Sequence, residues 1–194
     1  MKNAKIKRMV TIAFLMALVL VMQTLSGIIP PVGGFSISLV LIPIVMGAVL
    51  LGPAAGAFLG GTFGVIVYIN CVTGADPGGA MVFQANPTLC LLVVLGKGIL
   101  AGFATGWVYK LLKTWNPHVA MVCAAFICPV VNTGVFVASM LTFFKDVLSA
   151  WASGGDIIAY ILTGLILANF VPELIINVVF GTAGHTIIHA VQKK

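Results

Sequence analysis

Lys2-Asn-Ala-Lys-Ile-Lys-Arg-Met-Val-Thr-Ile-Ala-Phe-Leu-Met-Ala-Leu-Val-Leu-Val-Met22 sets the class of this chain. Lys2, Lys5, Lys7 and Arg8 come first, and a nearly uninterrupted apolar run from Met9 to Met22 follows. A secretory leader begins the same way, but it ends at a small-residue cleavage site. No such site follows convincingly here, and further apolar segments do, so the run reads as an uncleaved membrane helix from about Val10 to Ile29. Pro30-Pro31 stops it, because proline fixes φ and removes an N–H donor.

The rest of the sequence has the same character. Of 194 residues, 61% are hydrophobic and 7% are charged. A soluble domain carries about 25% charged residues, so this chain could not cover a water-facing surface. A spanning helix needs about 20 apolar residues. The expectation is all-α: an integral membrane bundle of six transmembrane helices, one domain over residues 1–194. No second soluble domain fits, so any nucleotide chemistry belongs to a partner.

The second span is expected over about Ile37 to Leu51, with Val32 to Ser36 as a short outer connection before it. Gly52-Pro53 is a tight inner turn, and the third span covers about Ala54 to Cys71. Thr73 to Pro87, rich in Gly, Pro and polar residues, reads as the longest outer loop. The fourth span covers about Thr88 to Leu112. The fifth runs from His118 to Phe144 and carries Pro129. Lys145 to Asp156 is an outer loop. The sixth runs from Ile157 to Val191, with a kink at Pro172.

Charge sets the orientation. With the N-terminus inside, Lys2, Lys5, Lys7, Arg8, Lys110, Lys113, Lys193 and Lys194 are cytoplasmic and only Lys145 is outside. Positive charge favours cytoplasmic loops, so both termini are expected there. Trp107, Tyr109 and Trp115 then mark the inner interface, and Tyr68, Trp151 and Tyr160 the outer one. The net charge of +6 is therefore topological and does not signal nucleic acid.

Gly52, Gly56, Gly60 and Gly64 recur every fourth residue, as do Gly98, Gly102 and Gly106. Each set lies along one helix face. Small residues let helices approach closely in lipid, either within the bundle or against another subunit. Ala13 and Ala17 share that spacing.

Two ionisable groups fall inside spans, Lys97 and Glu173. Intramembrane charge is costly and commonly marks a substrate path. Asn169, Glu173 and Asn177 share one face of the last span. Asn132 and Thr133 follow Pro129, and Asn86 stands where the outer loop meets the fourth span. These groups could line one polar pocket open to the outside, with Lys97 meeting an anionic or carbonyl group. Alternatively, Lys97 and Glu173 form a structural ion pair.

His185 and His189 share a face but lack further ligands, so no metal site is expected. Cys71, Cys90, Cys123 and Cys128 form no CxxC pair and read as small apolar residues packed in helices. The chain has no P-loop, HExxH, GxSxG or paired carboxylates, so no enzyme activity and no cofactor of its own are expected.

The basic N-terminus followed by Ala13-Phe-Leu-Met-Ala17 resembles the AxxxA docking motif of substrate-binding S components, from energy-coupling factor (ECF) vitamin importers. Leu41-Ile-Pro-Ile-Val-Met-Gly-Ala-Val-Leu-Leu-Gly-Pro-Ala-Ala-Gly56 is similar to their second and third helices. Lys97-Gly-Ile-Leu-Ala-Gly102 through Val108-Tyr-Lys110 is similar to their fourth. Pro129-Val-Val-Asn-Thr-Gly134 and Asn169-Phe-Val-Pro-Glu173 are also similar, so the resemblance runs from about Lys5 to His189.

The resemblance implies a high-affinity vitamin-binding subunit in a bacterial plasma membrane. It would capture its ligand from outside, dock on a transmembrane coupling subunit and topple, with ATP used by two partner ATPases. Ala13 and Ala17 would contact the coupling subunit. The ligand would lie among the outer loops and later helices; by polarity and placement, Asn86, Lys97, Asn132, Asn169 and Glu173 are the candidates. A buried lysine suits a carboxylate and several amides suit a hydroxyl- or amide-bearing ligand. Pantothenate has both, and riboflavin is next. The rival is a stand-alone secondary transporter of a small organic solute, which commonly shows an internal repeat; none is found between residues 1–97 and 98–194.

Overall fold

The computed structural model describes the backbone of residues 2–28 and 38–192 and the side chains of residues 5–27 and 38–183. The expected break at Pro30-Pro31, the connection at 32–36, the His185–His189 pair and the terminal lysines lie outside the described residues or side chains.

Every element among the described residues is helical. The long helices are α1 (Lys2–Ile28), α3 (Pro53–Thr73), α5 (Pro87–Leu112) and α6 (Pro117–Phe143). The last stretch comprises α8 (Ile157–Tyr160), a π-helical run (Ile161–Phe170) and α9 (Val171–Gln192). Shorter helices are α2 (Leu41–Leu51), α4 (Pro77–Ala85) and α7 (Lys145–Trp151). Leu20, Phe58, Leu92, Phe126, Leu167 and Phe180 are exposed, a distribution suited to lipid and not to water.

Five described helices are long and apolar enough to cross a membrane. The second expected span is shorter than its sequence suggests. The α2 helix has 11 residues, about 16 Å at 1.5 Å per residue, against a hydrocarbon core of about 30 Å.

The two outer stretches read as loops each contain a helix. Pro77 at the first helical position starts α4, where its missing N–H costs nothing. Buried Val82 and the edge-to-face contact of Phe83 with Tyr68, at 5.8 Å, hold α4 against α3. The α7 helix is held by buried Val147 and Leu148.

The helix boundaries follow from caps. Pro opens α3, α5 and α6 as well. Asn116 Oδ1 accepts from the N–H groups of His118 and Val119 at 2.9 and 3.2 Å, satisfying donors that the first turn leaves unpaired. Between α2 and α3 the chain turns at Gly52, φ 95° and ψ 177°, a backbone shape that disfavours a Cβ. The tight turn expected at Gly52-Pro53 is there.

The glycine stripes meet each other. The α3 and α5 helices form the most extensive pair in the bundle, running antiparallel, with Gly56 against Gly102 and Gly60 against Gly98. A methyl group built on Gly60 would fall on the Gly98 carbonyl, and one on Gly98 would fall on the Gly60 carbonyl. Gly64 faces the backbone of Val94 and Leu95, and Gly106 faces Pro53. Of the two uses open to these stripes, packing within the bundle is the one realised.

Where a kink is expected, at Pro172, the structure shows a change of helix type. Proline has no N–H and its ring crowds the carbonyl four residues back. The preceding turns widen: the Val171 N–H donates to the Ile166 carbonyl, five residues back. A π-helical run absorbs the proline, a local distortion often found at functional sites.

Candidate functional site

A cavity opens at the end of the bundle away from the Gly52 turn, bounded by residues of α1, α3 to α7, the π-helical run and α9. Its volume is about 110 Å³, room for several water-sized groups by the space one water requires.

Lys97 enters from the middle of α5. Its Nζ lies 5.0 Å from the Phe136 ring centroid and 5.6 Å from that of Phe63. Both are within the range of cation–π attraction. Phe136 also stacks on Trp151 of α7, with centroids 6.4 Å apart. Among the described residues no ion pair within 4.0 Å joins Lys97 to Glu173. The cation is therefore held by aromatic faces from α3 and α6, not by the carboxylate.

The opposing polar groups are oxygens. Glu173, 2% exposed, and Asn132, 5% exposed, line the cavity together with Asn169 and Gln23. Glu173 Oε1, Asn132 Oδ1, Asn169 Oδ1 and Gln23 Oε1 are each buried with no hydrogen-bond partner. Burying such an atom unpaired costs about 1–3 kcal/mol. A folded protein carries few of them, and here they gather on one cavity. The arrangement suits a ligand carrying an anionic group for Lys97 and hydroxyl or amide N–H donors for these oxygens.

Of the residues singled out from sequence, the fold brings Lys97, Asn132, Thr133, Asn169 and Glu173 to this cavity. Asn86 is not on its wall. It caps α5, its Oδ1 accepting from the Leu89 N–H at 3.0 Å, because Pro87 starts a helix whose first donors need an acceptor. Asn177, 1% exposed, lies one turn beyond Glu173 and off the wall; neither of its amide atoms has a partner. Ala13 and Ala17 lie on the exposed face of α1, opposite buried Leu15 and Val19.

Other wall residues escaped the sequence reading. Gln23 and Ser26 come from the end of α1, Asn70 from α3 and Asp76 from the turn before α4. Ser26 Oγ donates to the Met22 carbonyl at 2.9 Å and accepts from the Leu39 N–H at 3.1 Å, joining α1 to the approach to α2. A usable signal existed: Gln23, Asn70 and Asp76 are polar residues near the expected outer end of their segments. Phe63 and Phe136 gave none, since an aromatic beside a cavity has the same sequence signature as one in a core. The four cysteines are free; Cys71, Cys90 and Cys128 are buried, and Cys71 and Cys90 also border the cavity.

The sequence matches the family described as "ECF transporter, substrate-specific component" over residues 7–182. A curated relative, the pantothenic acid transporter PanT of Lactococcus lactis subsp. cremoris (strain MG1363), is 26% identical over 193 residues, covering 94% of each chain.

Proposed function

The chain belongs to the substrate-specific components of ECF transporters, and from that premise we propose that it captures pantothenate for import. Its multi-pass helices place it in a membrane, and members of this family are transport subunits, not enzymes. The carrying observation is the cavity: one lysine held between aromatic rings, faced by four buried oxygens that lack donors. Pantothenate offers a carboxylate for Lys97, and hydroxyl and amide donors for Gln23, Asn132, Asn169 and Glu173. The pantothenic acid relative supports the same choice. Riboflavin lacks a carboxylate to meet Lys97.

In this reading both termini face the cytoplasm of a bacterium and the cavity faces outward. The exposed Ala13–Ala17 face of α1 docks on a transmembrane coupling subunit. Two partner ATPases hydrolyse the ATP, and the chain holds no cofactor. Capture and energy supply are thus on different polypeptides.

The test is a thermal-shift and calorimetric screen of the purified chain in detergent against pantothenate, riboflavin, thiamine, folate, biotin, niacin and pyridoxine. A ligand at 100 times its Kd stabilises the folded state by about 2.7 kcal/mol. Pantothenate is expected to give that shift with saturable binding heat. A shift with another vitamin and none with pantothenate would reject the assignment. Pantothenate accumulation in liposomes without the ATPases would instead favour a secondary transporter.

A further inference from the structure

The cavity wall contains chemistry that vitamin capture does not use. Cys71, in the last turn of α3, and Cys90, in the first turn of α5, are both buried, on the antiparallel pair beyond the point where Gly64 meets Val94 and Leu95. Both border the cavity. The α4 helix bridges the two helix ends above them. It approaches so closely that a methyl group on Gly79 would strike the Cys71 sulfur and lie 2.8 Å from Asp76 Oδ2.

Burial in apolar packing commonly leaves a thiol inert. These two differ from Cys128, which is buried away from the cavity. Their wall borders space for water-sized molecules, and the antiparallel register that sets Gly64 against Val94 brings the two helix ends that carry them together. That is the arrangement in which a first oxidation is resolved by a neighbouring thiol.

We propose that Cys71 and Cys90 are a dithiol modification site, oxidised by small hydroperoxides to a disulfide within the ligand cavity. One of the two sulfurs attacks one peroxide oxygen and the O–O bond breaks. The departing oxygen takes up the thiol proton and, from hydrogen peroxide, leaves as water. The resulting sulfenic acid is attacked at sulfur by the other cysteine. The S–S bond forms, and the hydroxyl leaves with that cysteine's proton as a second water. Two electrons pass from the thiols to the peroxide.

Bond formation draws the two sulfurs together and reshapes the cavity wall directly beneath α4. Ligand capture should therefore weaken on oxidation and recover on reduction. This second effect rests on the pantothenate reading; the crosslink does not.

The full chain in detergent is treated with hydrogen peroxide, denatured, alkylated with iodoacetamide and mapped by mass spectrometry. The expected product is a peptide pair joined through Cys71 and Cys90, two hydrogens lighter than the dithiol and restored by dithiothreitol. Saturating pantothenate is expected to slow its formation. Oxidation of the wild-type chain is expected to reduce pantothenate affinity, while in Cys71→Ser and Cys90→Ser variants, whatever their starting affinity, peroxide treatment is expected to change it no further. Recovery of both cysteines fully alkylated after peroxide overturns the site. So does a crosslink confined to Cys123 or joining two chains. A Cys71–Cys90 disulfide with unchanged pantothenate affinity overturns the link to capture alone. The wild-type peptide map decides the chemistry even if a serine variant does not fold or no vitamin binds.

Discussion

Lys97 and Glu173 occupy one cavity without pairing, and the difference between their surroundings determines what each substitution should do. Lys97 meets two aromatic faces, so Lys97→Met keeps the stem packed and removes only the charge. Ligand affinity should fall by about 2–5 kcal/mol, the usual consequence of deleting one partner of a buried charged contact. Calorimetry on the purified variant measures it, with an unchanged ligand-free melting temperature confirming an intact fold. Glu173→Gln should separate stability from binding. A neutral amide is cheaper to bury than a carboxylate, so the ligand-free protein should melt higher. The substitution replaces an acceptor with a donor where ligand hydroxyls are expected, so binding should weaken by about 1–3 kcal/mol. A variant that binds pantothenate as tightly as wild type would remove Glu173 from the ligand shell. Much at this scale was legible in advance: scarce polar residues in apolar spans stand out, and Lys97, Asn132, Asn169 and Glu173 do reach one wall. Asn86 could not be assigned in the same way, because an asparagine before a proline serves equally well as a helix cap. Gln23 was hidden by its position at the end of a segment whose apolar character dominated the reading.

Among the elements, the α3–α5 pair and the α8-to-α9 stretch carry the most specific expectations. Gly60→Leu must push two backbones apart, because even a single carbon there meets the Gly98 carbonyl. Overpacking costs about 1–3 kcal/mol where side chains can adjust, and more is expected where the obstacle is backbone. A loss of monodisperse protein in size-exclusion chromatography and a lowered melting temperature would register it. Pro172→Ala restores an N–H and removes the cause of the widened turns. The stretch before it should tighten toward 3.6 residues per turn, rotating Asn169 relative to Glu173. Ligand affinity should fall further than fold stability, as read by calorimetry beside thermal melting. The long helices were visible as apolar runs between Pro and Gly. The helices α4 and α7 were not, because short elements in polar, Pro- and Gly-rich stretches have no sustained period, and what folds them is burial of Val82, Val147 and Leu148 against elements distant in sequence.

For the whole molecule, the polar cavity and the exposed small-residue face of α1 are separate surfaces. Replacing Ala13 and Ala17 together with leucine should abolish vitamin uptake into cells while leaving detergent-solution affinity unchanged. Uptake equal to wild type would move the docking surface elsewhere, and lost binding would place those residues in the fold's own packing. Membrane class followed from composition alone, because a chain with 7% charge has no other solvent. The number of full-length crossings did not, since an apolar run fixes hydropathy but not where a helix begins, as α2 shows.

The interlocked glycines of α3 and α5 also govern how this pair can move. With carbonyls seated where side-chain carbons would otherwise stand, the two rods mesh like a ratchet. Creeping by a fraction of a turn would ride a side chain up onto a peptide oxygen. The fourth-residue spacing allows only whole-notch jumps, each of which would carry Lys97 away from the Phe63 ring. The pair is therefore the stationary spine of the protein, and any rearrangement that admits or releases cargo must be made by the helices around it.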